Sequence, residues 1–339
     1  MAKVCLELMP DCKISWIGKR EGRELSIAKD NGFKTFGASL HGISRDEPWR
    51  NIDLIYRLPL ELARAIAFIK SVSPEVVLSF GGYIGGLGAL AALASGVPLV
   101  IHEQNAYPGL VTRVLARRAC AVCTSFPVTE SFLPLGTNVV LTGLPIRKGF
   151  VPAVRRDVRY LLVFGGSQGA SKINRVMFDG LESILSRFDD LKIIHICGDL
   201  DSQRCMGKAS SLSTIFRGRY SWFAFVDDMP GVMNRADLAL CRSGASTCAE
   251  LVASGMPSIL VPYPYAGGHQ RFNAMELQKV GAATVIPDNQ LSVKSIIDAL
   301  DDLVSNPDKV EAMSKAAIRL SMPEAAANVV TVLNRVVAK

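Results

Sequence analysis

The chain has 339 residues, of which 49% are hydrophobic and 20% are charged; this composition allows burial along the whole length and excludes an intrinsically disordered protein. The length exceeds one ordinary hydrophobic core and predicts two domains of roughly 150 residues each. The formal net charge is +7, but the basic residues lie in both halves, so the charge pattern excludes a nucleic-acid-binding stripe.

Cysteine usage and the first residues indicate a cytoplasmic protein. The eight cysteines are scattered and include a single CxxC pair, which favours free thiols in a reducing compartment over a zinc site. The first ten residues contain Glu7 and no long apolar core, so they do not resemble a secretory signal. We therefore expect neither secretion nor a bound metal.

The first half predicts a doubly wound α/β domain. Its expected strands are residues 13–18, 76–80, 99–101, 121–124 and 139–142. Residues 76–102 contain no Asp, Glu, Lys or Arg, but six glycines and a proline interrupt this apolar run. We therefore interpret the run as strands and a helix of a buried parallel sheet and not as a membrane-spanning helix.

The second half predicts another domain of the same class. Its expected strands are residues 160–164, 192–196, 221–225, 236–241, 258–261 and 283–286, and its expected helices are residues 173–187, 229–235, 248–254, 270–280 and 293–304. Residues 155–159 are interpreted as a basic surface connection. We expect domains at residues 1–146 and 147–322, a last helix in 323–339 that crosses back to the first domain, and ligands at the carboxyl ends of the strands.

The segment from Cys241 to Asn273 indicates a nucleotide-sugar site. A turn of small residues at 242–247 leaves backbone N–H groups exposed before a helix expected at 248–253, and such a helix start binds anions. Glu250 lies about one turn into this helix, where a carboxylate can accept hydrogen bonds from ribose hydroxyls. A polar cluster at 267–270 can contact sugar hydroxyls. Each piece alone also fits a capped helix or a polar loop.

A glycine turn, FGGSQGA at 164–170, follows a strand and opens a helix. Glycines there let the backbone approach a phosphate, and Ser167 can donate to a phosphate oxygen. The turn departs from GxGxxG, which disfavours a dinucleotide oxidoreductase. A tight turn without a ligand is the alternative interpretation.

Polar and basic residues mark the expected cleft and its surroundings. His102 and Glu103 follow a buried strand, and either can take a proton from an attacking hydroxyl or brace the cleft by hydrogen bonds. Arg147 can pair with a diphosphate, although a surface arginine is the alternative. Basic amphipathic helices expected at 60–70 and 108–119 can lie on a membrane or pack one face inward.

The motifs FGGYIGG, HEQNAYPG, GLPIR, FGGSQGA, FVDDM, CRSGASTCAE and GGHQRFNA occur in this order along the chain. With them, the sequence resembles the MurG family of glycosyltransferases over its full length. The resemblance implies a GT-B fold of two Rossmann-like domains and inverting, metal-independent transfer of N-acetylglucosamine from UDP-N-acetylglucosamine, without a cofactor. It also implies an undecaprenyl-linked muramyl-pentapeptide acceptor, the cytoplasmic face of the bacterial inner membrane, and cell-wall synthesis or division proteins as further partners.

The resemblance carries site residues onto this chain. The donor contacts map onto Asn105, Arg147, Ser167, Val226, Ala245, Ser246, Thr247, Cys248, Ala249, Glu250 and Gln270. Glu250 would hold the ribose, Gln270 the sugar hydroxyls, and the backbone of Val226 the uracil. The acceptor diphosphate would face Gly81, Gly82 and Tyr83, and the catalytic candidates are His102 and Glu103.

One departure concerns the first residues. Members of the family begin with a strand and a loop of the form GGTGGH, whose histidine is the favoured catalytic or acceptor-binding group, whereas this sequence opens in what resembles the following helix, AKVCLEL. We expect an incomplete first domain with a gap between strands and exposed apolar surface. Two alternatives stay open: a non-catalytic binding protein for nucleotide sugars or lipid precursors, and a related GT-B enzyme for another glycolipid.

Overall fold

The computed structural model describes residues 1–41, 52–166 and 169–338. They form two compact units: Met1–Pro145 with Glu324–Lys339, and Ile146–Pro323. The sequence-based divisions at 146/147 and 322/323 each lie one residue from these structural divisions.

The first unit alternates helices and strands. Its elements up to Pro145 are α1 (Ala2–Leu8), β1 (Ser15–Lys19), α2 (Arg23–Asp30), β2 (Lys34–Ala38), α3 (Ile52–Val72), β3 (Val77–Ser79), α4 (Gly82–Ala94), β4 (Leu99–Glu103), α5 (Leu110–Leu115), β5 (Ala121–Thr124) and β6 (Val139–Leu141). All strand pairs are parallel. Strand β4 is buried at every position, as expected for a sheet covered on both faces.

The described strands of the first unit fall into two sheets. Strands β1 and β2 pair with each other, and β3, β4, β5 and β6 form a separate four-stranded sheet. The expected gap between strands stays a prediction. Helix α4 packs on both sheets. Leu87 and Ala91 belong to one hydrophobic cluster with Ile17 and Phe36 of the first sheet and Val77 of the second.

The second unit contains one six-stranded parallel sheet. Its elements are β7 (Tyr160–Phe164), α6 (Ser171–Arg187), β8 (Lys192–Ile196), α7 (Ser202–Ser211), α8 (Thr214–Arg217), β9 (Tyr220–Phe223), α9 (Met229–Arg235), β10 (Leu238–Cys241), α10 (Ala245–Ala253), β11 (Ser258–Leu260), α11 (His269–Lys279), β12 (Ala283–Val285), α12 (Val293–Val304) and α13 (Pro307–Leu320). The strand order is β12-β11-β10-β7-β8-β9.

This order places a topological switch point between β7 and β10. From β7 the chain adds β8 and β9 on one side, and it then returns to add β10, β11 and β12 on the other side. In open parallel sheets, ligands bind outside the carboxyl ends of the strands at such a switch point. Both strands are buried along nearly their full length, so the loops that follow them start from a rigid base.

The last helix, α14 (Ala325–Val337), belongs to the first unit. Its apolar face, with Val329 and Leu333, packs against Val100 of β4 and Ala121 of β5. Among the described residues, no helix combines the length and the apolarity that crossing a membrane requires.

The interpretation of residues 155–159 as a surface connection is wrong for Arg155, which is 6% exposed. Its guanidinium donates to the carbonyl oxygens of Ala153, Met233, Ala236 and Ser254. Three of these carbonyls lie at or just beyond the carboxyl ends of α9 and α10, where partial negative charge collects. The arginine is therefore an internal anchor for these helix ends.

Candidate functional site

The glycine turn after β7 borders the switch point and requires glycine. A Cβ on Gly165 would lie 2.2 Å from the Ala170 amide nitrogen, and one on Gly169 would lie 2.5 Å from the Cys197 carbonyl oxygen. Gly166 has a φ of 84° and Gly169 a φ of 74°, a region that L-residues with a side chain avoid. Ser167 and Gln168 lie outside the described residues, so the predicted phosphate contact of Ser167 stays a prediction.

The turn after β10 borders the same switch point from the other side. Helix α10 begins at Ala245, three residues before the predicted start at Cys248. The first intrahelical bond runs from the Cys248 N–H to the Gly244 carbonyl, and no side chain of the described residues caps the helix start. The N–H groups of Ala245, Ser246 and Thr247 therefore lie in the first turn, which has no intrahelical acceptor for them and which favours anions.

Glu250 lies inside α10 and faces Arg147. The Arg147 Nε atom is 3.5 Å from the Glu250 Oε1 atom, and the Arg147 side chain is half exposed. Burial raises the pKa of Glu250, and the charge and hydrogen bond of Arg147 lower it again in part. Arg147 also donates to the Asp227 carbonyl over 3.3 Å, which brings it beside the predicted uracil contact, Val226.

The start of α11 is tied to the turn after β10. The Ser243 hydroxyl donates to the Gln270 carbonyl over 2.8 Å, and the Asn273 amide donates to the Ser243 carbonyl over 3.1 Å. The Gln270 side-chain oxygen accepts the Tyr263 N–H over 3.0 Å. Arg147, Val226, Gln270 and residues 245–250 thus lie on the second unit at loops and helix starts that follow the carboxyl ends of the sheet or adjoin them.

Sequence reasoning missed three charged residues at the same edge of the sheet: Lys172, Arg242 and Asp288. They form a buried or partly buried ion cluster in which Asp288 contacts both cations. In the sequence, the position of Arg242 directly after a buried strand is the feature that could have indicated a role at this edge of the sheet. The pairing itself spans 46 residues and leaves no local pattern.

In the first unit, His102 is fully buried and both ring nitrogens have neighbours. Its Nε2 atom lies 2.9 Å from the Gly143 carbonyl, which fixes Nε2 as the protonated nitrogen, and its Nδ1 atom lies 3.4 Å from the Gln104 amide nitrogen. Burial is the main cause that lowers the pKa of His102. The ring is therefore neutral near pH 7 and links the end of β4 to the segment after β6.

Glu103 is 3% exposed and organises the loop that follows β4. Its carboxylate accepts the Asn105 N–H over 3.0 Å, the Gly109 N–H over 2.9 Å and the Thr112 hydroxyl over 2.6 Å. This matches the bracing interpretation of the residue, while its catalytic role stays a prediction. Asn105, a predicted donor contact, lies in this loop of the first unit, and its amide is 3.3 Å from Glu103 Oε1.

The predicted acceptor glycines lie at the start of α4. Gly81 and Gly82 have φ values of 70° and 66°, and the Gly81 N–H donates to the Ser79 hydroxyl. Tyr83 in the first turn is exposed. Among the described residues, no group of three or more His, Cys, Asp or Glu side chains is arranged to hold a metal ion.

Family models match both units. The C-terminal domain model of glycosyltransferase family 28 matches residues 160–329, and the N-terminal domain model of the same family matches residues 7–124. With two parallel-sheet α/β units and a glycine turn at a switch point, the chain has the GT-B fold of nucleotide-sugar-dependent glycosyltransferases.

Similar proteins identify the family within this class of glycosyltransferases. The UDP-N-acetylglucosamine--N-acetylmuramyl-(pentapeptide) pyrophosphoryl-undecaprenol N-acetylglucosamine transferase of Desulforamulus reducens is 33% identical, over 96% of this chain and 90% of that protein. The transferase of the same name from Desulfitobacterium hafniense is 34% identical over 98% and 93%. A crystal structure of Acinetobacter baumannii MurG superposes with a TM-score of 0.79 at 26% identity, over 98% of this chain and 94% of that one. The chain belongs to the MurG family of glycosyltransferases.

Proposed function

We propose that this protein transfers N-acetylglucosamine from UDP-N-acetylglucosamine to an undecaprenyl-diphospho-N-acetylmuramoyl-pentapeptide, the reaction that its relatives are named for. The observation that carries the proposal is the pair of loops at the switch point of the second unit. A glycine turn and an uncapped helix start border it, and a buried carboxylate lies within the same helix. The glycine turn and the helix start suit phosphate groups, and the carboxylate suits ribose hydroxyls.

The chemistry is a single displacement with inversion. The acceptor hydroxyl oxygen attacks the anomeric carbon of the sugar and gives its proton to a base, for which His102 and Glu103 are the candidates. The bond from that carbon to the diphosphate breaks, and UDP leaves with the electron pair. Arg147 and the N–H groups of Ala245, Ser246 and Thr247 stabilise the negative charge that develops on the diphosphate. In this proposal they perform, without a metal, the charge stabilisation that a cation supplies in other transferases.

Glu250 provides the direct test of the donor site. Glu250→Ala should weaken binding of UDP-N-acetylglucosamine about tenfold or more, because the proposed charge-assisted hydrogen bonds to the ribose hydroxyls are lost. Calorimetric titration measures the loss, and Glu182→Ala, at an exposed position of α6, is the control. Unchanged affinity in the Glu250 variant would contradict the site.

Transfer itself is tested with labelled donor and a lipid-linked acceptor. Label that reaches the lipid fraction supports an enzyme, and donor binding without transfer would favour the non-catalytic alternative. His102→Gln and Glu103→Gln test the catalytic candidates. Substitution of the group that takes the acceptor proton should lower kcat, while the affinity for UDP stays at its wild-type value.

The proposed site of action is the cytoplasmic face of the inner membrane. Exposed apolar side chains on α3 (Ile55, Tyr56) and α5 (Leu110, Val114) support this site of action. Both of these helices pack against α4. The exposed basic residues Arg117 and Arg118 follow α5. Apolar and basic groups together suit an interface with anionic lipids. Flotation with anionic vesicles should recover the protein, and Val114→Glu should reduce the recovered fraction; equal recovery would contradict this face.

A further inference from the structure

A carboxylate in the second unit bridges two cations that no proposed role has used. The Asp288 Oδ1 atom lies 2.6 Å from Arg242 Nη1, and the Asp288 Oδ2 atom lies 2.8 Å from Lys172 Nζ. The side chains of Arg242 and Asp288 are 9% and 14% exposed. Lys172 also donates to the Asp288 carbonyl oxygen.

The two cations lie beside the two loops that border the switch point. Lys172 is the second residue of α6, the helix that begins directly after the glycine turn that follows β7. Arg242 is the first residue after β10, and the turn that it begins leads into α10. Asp288 itself follows β12 at the edge of the sheet, so its carboxylate joins loops that come from either side of the switch point.

Arg242 is fixed by more than its ion pair. Its Nη1 atom donates to the Val261 carbonyl over 3.0 Å, and its guanidinium lies 5.4 Å from the centre of the Tyr263 ring. The Tyr263 N–H donates in turn to the Gln270 side chain. A displacement of Arg242 would therefore be transmitted to the start of α11 as well as to the turn before α10.

The cluster is ionised and costly to break. Burial alone would raise the pKa of Asp288, but the hydrogen bonds and charges of Lys172 and Arg242 bring it below its usual value, so the carboxylate is charged near pH 7. Removing one member of a buried ion pair leaves the other without a counter-charge. Arg242 would then move to find new acceptors or water.

We propose that Asp288 is a positioning residue of the donor site: by holding Lys172 and Arg242, its carboxylate sets the separation between the start of α6 and the turn before α10, so that both face one diphosphate. The inference rests on the proposed function, because it assigns the diphosphate to these loops. The residue acts through its partners and does not touch the donor. A misplacement of hydrogen-bond donors weakens their shared hydrogen bonds to an oxyanion.

A purely structural ion pair makes a different prediction from a positioning one. If the cluster only stabilises the second unit, its loss lowers the melting temperature and affects all ligands alike. If it sets the spacing of the phosphate-binding loops, the affinity loss depends on the presence of phosphates in the ligand. UDP and uridine differ in this respect and share the base and the ribose.

The test measures UDP and uridine affinity, together with thermal melting, for the wild type and three variants. Asp288→Asn should raise the Kd for UDP about tenfold and leave the Kd for uridine unchanged, and Asp288→Glu should recover part of the UDP affinity. Asp301→Asn is the matched control, because Asp301 pairs with Arg187 at the opposite end of the same helix α6; it should change neither affinity.

Equal losses for UDP and uridine, or no loss for UDP, would overturn the inference. If Asp288→Asn does not fold, Asp288→Glu alone decides by the same comparison, since it keeps the charge and lengthens the arm. A wild-type protein that binds neither ligand would be the failure of the proposed function, and it is distinguishable because it appears before any substitution.

Discussion

Arg147 and Glu250 face each other across 3.5 Å, the first half exposed and the second buried within α10. The pair joins the segment that follows Pro145 to the helix that borders the switch point. Two effects act on the pKa of Glu250 in opposite directions: burial raises it, and the Arg147 guanidinium opposes that rise. The charge state of the proposed ribose contact therefore depends on Arg147.

Arg147→Ala should weaken UDP binding and make it more sensitive to acid. Without the guanidinium, the pKa of Glu250 rises further, so the carboxylate takes up a proton at a higher pH. A protonated carboxyl has less acceptor capacity for ribose hydroxyls. As the pH is lowered from about 8 to about 5, UDP affinity should begin to fall at a higher pH in the variant than in the wild type, as calorimetry can show.

Arg156→Ala is the control for that experiment. Arg156 lies in the same connecting segment, but its partners are Asp308 and Glu311 at an exposed position. It should leave the pH profile of UDP binding as it is in the wild type. An identical profile in the Arg147 variant would show that the pair does not control the site.

Gly165→Ala should damage the glycine turn. A Cβ there would lie 2.2 Å from the Ala170 nitrogen, a contact with backbone that cannot rotate away. We expect a loss of about 1–3 kcal/mol in the free energy of unfolding and weaker UDP binding. Gly207→Ala, at an exposed position of α7 where the added Cβ has no neighbour within 4 Å, should instead be neutral or stabilising by up to about 1 kcal/mol. Equal stability changes in the two variants would contradict the steric argument.

Local chemistry explains which parts of the fold and the site the sequence predicts. Glycine turns after apolar strands, such as 165–170, are visible because the requirement for glycine is set by the backbone at those residues. Strand β2 was missed because Lys34, Gly37 and Ala38 are poor strand formers, and its strand conformation comes from pairing with β1. Tertiary pairing of this kind has no signature within the segment itself.

The start of α10 shows the same limit at the site. Ala245, Ser246 and Thr247 fit a turn as well as a first helical turn, because neither structure uses the N–H groups of these residues. The ion cluster of Lys172, Arg242 and Asp288 joins residues 46 and 116 positions apart. Only the folded sheet brings their loops to one edge, so sequence spacing could not indicate it.

A buried polar network links α6 to the strands beside it. The His195 Nδ1 atom lies 3.0 Å from the Tyr220 hydroxyl, and its Nε2 atom lies 3.0 Å from the Asn174 side-chain oxygen. The Asn174 amide donates to the Cys197 carbonyl and to Asp201. Because the Asn174 oxygen is the acceptor, we assign the proton to Nε2 and the Tyr220 O–H donates to Nδ1.

This network predicts acid sensitivity. Burial lowers the pKa of His195 from 6.5 to about 4, so the unfolded chain takes up a proton below about pH 6.5 while the folded chain does not until about pH 4. Stability should therefore fall as the pH falls through this window, by about 3 kcal/mol in total. His195→Gln should lower stability at pH 7 but flatten the dependence below it, as urea unfolding at several pH values can measure; an equally steep fall in the variant would assign the effect to other groups.

Arg155 should be among the most sensitive positions outside the proposed site. Arg155→Met removes the donors to the helix ends at Met233, Ala236 and Ser254 and leaves buried carbonyls without partners, at a cost of about 3 kcal/mol in the free energy of unfolding. Arg187→Met, which breaks an exposed ion pair, should cost less than about 1 kcal/mol. Arg155→Lys separates charge from shape, because one ammonium group cannot reach carbonyls that the planar guanidinium fork spans. We expect it to recover only part of the loss in urea unfolding, and full recovery would show that charge alone holds the helix ends.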